Sequence, residues 1–196
     1  MRGHMMCAML LLLLSSCVTP AMQGPFVVGK PYGGPAPYAE GIHPGIDYAI
    51  PTGTPVVAVA DGSIVYILPV EGPENGLFVR MTHGGAFNSL YGHLDKVVVG
   101  KGQHVQRGQL IGFSGASNNY QKKDYQHLHF GICKVGGNCQ NYSGSYDPER
   151  YWLGGTPQCF DPEAAAAALP PQAITLPLAC GPYGDALRLL YKSGRD

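Results

Sequence analysis

Between Ile46 and Cys133 no apolar run goes far before a Gly, Pro or Asn turns it, and no stretch holds the 3.6-residue period of a sustained helix. Strand-length runs are expected at Asp47 to Ile50, Pro55 to Ala60 and Ser63 to Leu68. Others are expected at Leu77 to Thr82, Phe87 to Tyr91, Lys96 to Val99, Gln109 to Phe113 and Gln126 to Cys133. Asn75-Gly76 ahead of Leu77 is a hairpin signal, because both residues tolerate positive φ. Short strands at this frequency predict a mainly β fold, a compact antiparallel sandwich or barrel-like domain. Composition agrees: 28 of the 196 residues are Gly and 17 are Pro, while only 13% are charged, about half of the usual ~25%. Coiled coils and long bundles need charged faces and avoid Gly, so both are excluded. Lys plus Arg equals Asp plus Glu, 13 each. The chain therefore lacks the basic excess of a nucleic-acid binder.

The ends read differently from the middle. Arg2 followed by the apolar run Met5 to Leu14 is too short to span a membrane, which takes ~20 residues, and suits the apolar region of a secretory signal. Leu14-Ser15-Ser16-Cys17 resembles the bacterial lipobox, in which cleavage precedes a lipidated cysteine. The resemblance implies a signal peptide over 1–16, an acylated Cys17 and a tether to residue 24. Val18 stands where an inner-membrane protein of this type commonly has Asp. In a Gram-negative cell that favours anchoring in the outer membrane, facing the periplasm.

After Leu153 the composition shifts again. Asp161-Pro162-Glu163 and the five alanines behind it predict a capped helix ended by Pro170-Pro171. A second short helix is expected over Asp185 to Lys192, with Leu187, Leu190 and Tyr191 on one side. Residues 25–155 are thus expected to form the main domain and 156–196 a helical appendage.

Cys133, Cys139, Cys159 and Cys180 remain for an exported domain, and four cysteines allow three pairings. The local pairs Cys133–Cys139 and Cys159–Cys180 are expected, the second stapling the appendage. A zinc ribbon would want closer pairs such as CxxC.

The histidines carry the chemistry. In His127-Leu128-His129-Phe130 both imidazoles share one strand face, and Leu128 and Phe130 share the other. His43-Pro44-Gly45-Ile46-Asp47 sets a His and an Asp at the two ends of a Pro-Gly turn. A His, an Asp and one His of the pair make the three protein ligands of a catalytic zinc site, which leaves its fourth position to water. His93 and the remaining His of the pair would stand beside it. His83 and His104 are read as structural or solvent-facing.

Taken together, several segments resemble the M23 metallopeptidases, the lysostaphin-like, LytM-type enzymes. They are His43 to Asp47, Gly53-Thr54-Pro55-Val56, Ala60-Asp61-Gly62, Ser89 to Leu94, Val99 to Gln103, Val105 to Gly112 and His127 to Phe130. The likeness runs over roughly residues 25–153. It implies that His43, Asp47 and His129 hold one Zn²⁺ and that His93 and His127 are the catalytic pair. It also implies a zinc endopeptidase that cuts peptide cross-links of peptidoglycan. The short tether after Cys17 would keep the domain near its membrane, since even ten extended residues reach only ~35 Å, and a monomer is expected. Lys30 to Gly34 departs from the Gly-x-Arg that many members place before the first His. Tyr32, Asn118, Tyr120 and Tyr125 are candidates for the substrate groove. A Gram-negative lipoprotein of this type would cut D-Ala–meso-diaminopimelate cross-links; a glycyl-glycine bond would need a Gram-positive bridge. The alternative is a wall-binding relative that is non-catalytic or gated by a partner. Against it, degenerate members lack one or more of the five residues, and this chain has all five. A non-haem iron oxygenase and a biotinyl or lipoyl carrier fit the wider pattern poorly.

Overall fold

A computed structural model describes residues 26–37, 39–68, 76–117, 125–152, 159–162, 173–179 and 181–193. Among these residues ten strands and one α-helix follow in chain order: β1 Val27–Lys30, β2 Ile46–Ala49, β3 Pro55–Val57, β4 Gly62–Leu68, β5 Leu77–His83, β6 Phe87–Val97, β7 His104–Val105, β8 Leu110–Ser114, β9 Leu128–Cys133, β10 Ser145–Tyr146 and α1 Gly181–Ser193. All strand pairings are antiparallel, in the order β1-β2-β9-β6-β5-β4-β7. β10 is added on β9, β8 on β6, and β3 on β8.

The expected mainly β architecture is what forms, with three differences of detail. The runs Phe87 to Tyr91 and Lys96 to Val99 belong largely to one eleven-residue strand, β6, whose first half pairs with β9 and whose second half pairs with β8. β3 ends at Val57, where the backbone turns away to meet the C-terminal segment through Val57 N–H on Pro177 O. The short strands β1, β7 and β10 lack the alternation or length that would mark them in sequence.

One face of the sheet is the core. Ile46 and Tyr48 of β2, Leu128, Phe130 and Ile132 of β9, Tyr91 of β6, and Val79 and Met81 of β5 all point into it. The period-2 alternation that buries them sends Asp47, His129, Gly131, Leu90, Gly92, Phe78 and Arg80 to the opposite face. Leu128 and Phe130 lie fully inside, as the strand reading required.

The C-terminal segment is part of the same core, with Ile174, Leu176 and Leu178 buried in it. Arg107 clamps the segment by donating to Val59 O (2.7 Å) and Ala173 O (2.8 Å). The expected alanine helix lies outside the described residues beyond Pro162. The second expected helix is α1, longer than predicted at both ends. It buries Gly184 and Tyr191 and packs Leu187 against Val57, Phe160 and Ala179. Leu190 is exposed, because the stripe that faces the sheet runs through 184, 187 and 191. Tyr191 packs on Phe113, ring centroids 4.9 Å apart, and donates to Asp95 Oδ2 at 2.6 Å.

Cys133 and Cys139 form a disulfide. Cys159 is also disulfide-bonded; its expected partner, Cys180, lies outside the described residues, as do Cys17 and the leader.

His83 is structural. Its Nδ1 donates to Asp61 O at 2.8 Å, and its Nε2 lies 2.8 Å from Ser89 Oγ, itself 3.2 Å from the Tyr91 hydroxyl. Val59 N–H completes the chain on Tyr91 Oη. This ties the β3–β4 connection to β5 and β6 through a buried neutral ring. His104 is exposed on β7.

Candidate active site

Three side chains meet at the start of the β2–β9 ladder. Asp47 and His129 are direct partners across it, so both project from one face at the same height. His43 reaches them from the preceding turn. Gly45 makes that turn possible: a Cβ there would fall 2.4 Å from Phe130 O and 2.8 Å from His129 Cε1. His129 Nδ1 is 2.8 Å from Asp47 Oδ1, His43 Nε2 is 3.1 Å from the same oxygen, and the two nitrogens are 3.0 Å apart. All three residues are buried.

His43 Nδ1 lies 3.0 Å from Pro31 O. A carbonyl only accepts, so the proton is on Nδ1 and the Nε2 lone pair faces Asp47. Two imidazoles and a carboxylate converging this closely are a natural cation site. Their spacings lie near the ~3.3 Å edge of a tetrahedron built on ~2.0–2.1 Å metal–ligand bonds. The nitrogen–oxygen donor set suits zinc, and the Pro31 contact is the outer hydrogen bond that metal-binding imidazoles habitually make. Burial alone would raise the Asp47 pKa; the hydrogen bond with the His129 imidazole, with the His43 ring close beside it, outweighs it and holds the carboxyl well below the ordinary carboxylate range.

Beside this cluster stand His93 and His127, ring centroids 4.3 Å apart. His127 enters β9 two residues before His129, its N–H bonded to Gly115 O, and its Nε2 is 3.9 Å from Asp47 Oδ1. His93 arrives by a different device. The β5–β6 register slips between Tyr91↔Val79 and Leu94↔Leu77, so Gly92 and His93 together oppose Phe78. This is a β-bulge, and His93 takes φ 60° within it. The bulge turns the His93 ring to the site face and returns Leu94 to the core. Each ring is keyed by a carbonyl: His93 Nδ1 donates to Ser117 O (2.8 Å) and His127 Nδ1 to Tyr125 O (3.1 Å). Both Nε2 atoms are left as acceptors. Burial, followed by the neighbouring rings of His127 and His129, pushes the His93 pKa down to about 4. Burial also lowers that of His127, against the pull of Asp47.

Residues 41–142 match the sequence model of Peptidase family M23. The chain belongs to that family. Other likenesses agree. The peptidoglycan DD-endopeptidase ShyA of Vibrio cholerae is 42% identical over 88 residues, 45% of this chain. The catalytic domain of lysostaphin from Staphylococcus simulans superposes with a TM-score of 0.55 at 30% identity, over 64% of this chain and 91% of that one. A zinc-containing peptidase of Vibrio cholerae gives a TM-score of 0.51 at 27% identity, over 65% of this chain and 37% of that one. The chain spans about a fifth (19%) of ShyA.

The M23 domain brings together all five residues singled out by sequence. Tyr125 lies over His127, ring centroids 4.4 Å apart, which places it on the site wall. Tyr32 packs on Tyr142 and bonds with Ser145, next to Pro31. Asn118 and Tyr120 lie outside the described residues. Sequence reasoning missed the three carbonyls that key the imidazoles, because a backbone acceptor leaves no residue signature.

Proposed function

We propose that this protein is a zinc endopeptidase that hydrolyses peptide cross-links of peptidoglycan. The observation that carries the reading is the convergence of three ligand atoms within 2.8–3.1 Å beside two imidazoles whose Nε2 atoms are kept as acceptors. His43, Asp47 and His129 would hold one zinc ion. When bound, zinc supplies a Lewis acid that polarises the scissile carbonyl and brings the pKa of water from ~15.7 toward ~7.

The protein's own groups do the rest. Asp47 brings the single negative charge of the ligand set, so the centre stays net positive. With Nδ1–H committed to a carbonyl, a neutral His93 or His127 takes a proton on Nε2 and becomes a donor only after taking it. One ring therefore accepts the proton of the attacking water and passes it to the leaving amine. The other donates to the oxygen on which negative charge develops only once it has taken a proton from solvent on Nε2; donors of this kind contribute ~2.7–4 kcal/mol. Buried walls keep both rings neutral at rest and ready to accept.

The bond proposed is the D-Ala–meso-diaminopimelate cross-link, supported by the DD-endopeptidase name of the Vibrio cholerae relative. Acylation at Cys17, with the domain held at the outer membrane facing the periplasm, is proposed from Leu14 to Cys17 and Val18 alone; that it acts as a monomer is proposed with it.

The test is to incubate zinc-loaded protein with purified sacculi and identify the released muropeptides by mass spectrometry. Chelator-sensitive loss of cross-linked dimers is expected. Unchanged muropeptides with zinc bound would move the reading to a non-catalytic or partner-gated wall binder.

A further inference from the structure

The sheet face that carries the candidate metal centre does not end there. Across β6, β5 and β4 it continues into a cavity of about 280 Å³. Tyr66, Phe78, Leu90 and Arg80 line it from the strands, and Asn138 and Gln140 from the loop after β9. The floor is apolar and firm: Phe78 and Leu90 pack on the Cys133–Cys139 disulfide, which pins that loop. Arg80 stands opposite Tyr66 on one side and Leu90 on the other.

Arg80 Nε is buried and has no hydrogen-bond partner. The guanidinium lies over the Tyr66 ring, 6.0 Å from its centroid, and among the described residues no carboxylate pairs with it. An unsatisfied buried donor on a charged group is costly. A planar fork of N–H donors beside an aromatic wall matches a planar carboxylate on an aliphatic stem. Register gives the separation from the metal centre. Arg80 opposes Leu90, and Gly92, two residues along, opposes His129. Two strand spacings and two residue rises put the Arg80 and His129 Cα atoms roughly 12 Å apart, the length of three or four extended residues.

We propose that this cavity is an anchoring subsite for a carboxylate of the substrate peptide, gripped by Arg80 a few residues away from the bond that is cut. The inference rests on the peptidase reading above and adds to it a specificity-determining residue and the charge it selects. Arg80 makes no contact with the reacting atoms. Its binding energy is spent equally in ground and transition states, so its loss raises KM and leaves kcat.

Two measurements on the zinc-loaded full chain test this. In the first, the Arg80 Nε–H resonance is followed by NMR while N-acetylalanine or N-acetylalaninamide is added at matched ionic strength, with inorganic phosphate as a third arm. A saturable shift with the carboxylate and none with the neutral amide is expected. Equal shifts with both, no shift, or a stronger response to phosphate would overturn the carboxylate site. In the second, Arg80→Gln and Arg80→Lys are assayed on sacculi. KM is expected to rise roughly tenfold or more for Gln, on ~1.5–3 kcal/mol for charged hydrogen bonds, and less for Lys, which keeps charge without the fork. An unchanged KM in both variants would reduce Arg80 to a cover for Tyr66 and Leu90. Carboxylate binding at Arg80 without any turnover by the parent protein would uphold the anion site and sink the peptidase reading instead.

Discussion

The imidazoles of His93 and His127 face each other at 4.3 Å, and they come from strands that hold them by opposite means. His127 follows the ordinary alternation of β9. His93 is on the site face because β6 carries an extra residue and a left-handed backbone at that point.

That difference predicts an inverted stability order. A left-handed conformation costs a residue with a Cβ ~1–2 kcal/mol, a cost glycine escapes. His93→Gly should therefore unfold at higher denaturant than His93→Ala, by about 1 kcal/mol, although Gly in a strand is ordinarily the weaker choice. Both variants should be inactive. Urea titration of the two decides it, and an Ala variant as stable as the Gly variant would mean the bulge relaxes once the ring is gone.

Removing the metal should be felt as a loss of stability. A zinc ion that bound the assembled site and not the unfolded chain would, at a thousandfold excess over Kd, add ~4 kcal/mol to the fold. Melting curves with and without chelator should separate strongly for the parent and coincide for Asp47→Asn, which lacks the charge to hold the ion.

His83 gives the fold a dependence on pH. Burial, the largest influence, holds its pKa below the ordinary value, while the unfolded ring titrates near ~6.5. The unfolded chain therefore takes up the proton first. The stability owed to the neutral ring is complete above pH ~6.5 and is lost as pH falls from there toward the folded value. Between pH 7.5 and 5, metal-free His83→Gln should lose less stability than the metal-free parent. Parallel pH profiles would show that the ring is not held neutral.

The Cys133–Cys139 bridge closes a short loop, with a sequence separation of 6. On the chain-entropy account it contributes roughly 2 kcal/mol. The paired substitution Cys133→Ser with Cys139→Ser should lower unfolding free energy by about that much and leave zinc content unchanged, since Cys133 lies four residues from His129 along β9. A variant that lost zinc would show that the bridge supports the metal centre directly.

Much of this molecule could be read before its coordinates. His127, Leu128, His129 and Phe130 alternate so strictly that the chain assigns its own inside and outside, and Pro44-Gly45 all but dictates that His43 returns to Asp47. Gly45 is legible only in part: the sequence shows a turn, whereas the fold shows that any side chain there would strike His129. The bulge at His93 was not legible, because the signal is a register slip between β5 and β6 rather than a residue type. Nor was the burial of Ile174, Leu176 and Leu178. Their segment is rich in Pro and Ala, and only the notch beside β3 and Arg107 gives it a place. Arg80 was invisible for a similar reason, since its Tyr66 and Leu90 neighbours come from two other strands.

The division of labour among the five site residues is the central claim, and the two histidines of the pair separate it most sharply. Zinc per protein chain should be measured by mass spectrometry alongside cross-link release from sacculi, for His127→Ala and His129→Ala. The account predicts that His127→Ala keeps its zinc and loses turnover, while His129→Ala loses both. Zinc lost from His127→Ala and retained by His129→Ala would contradict it.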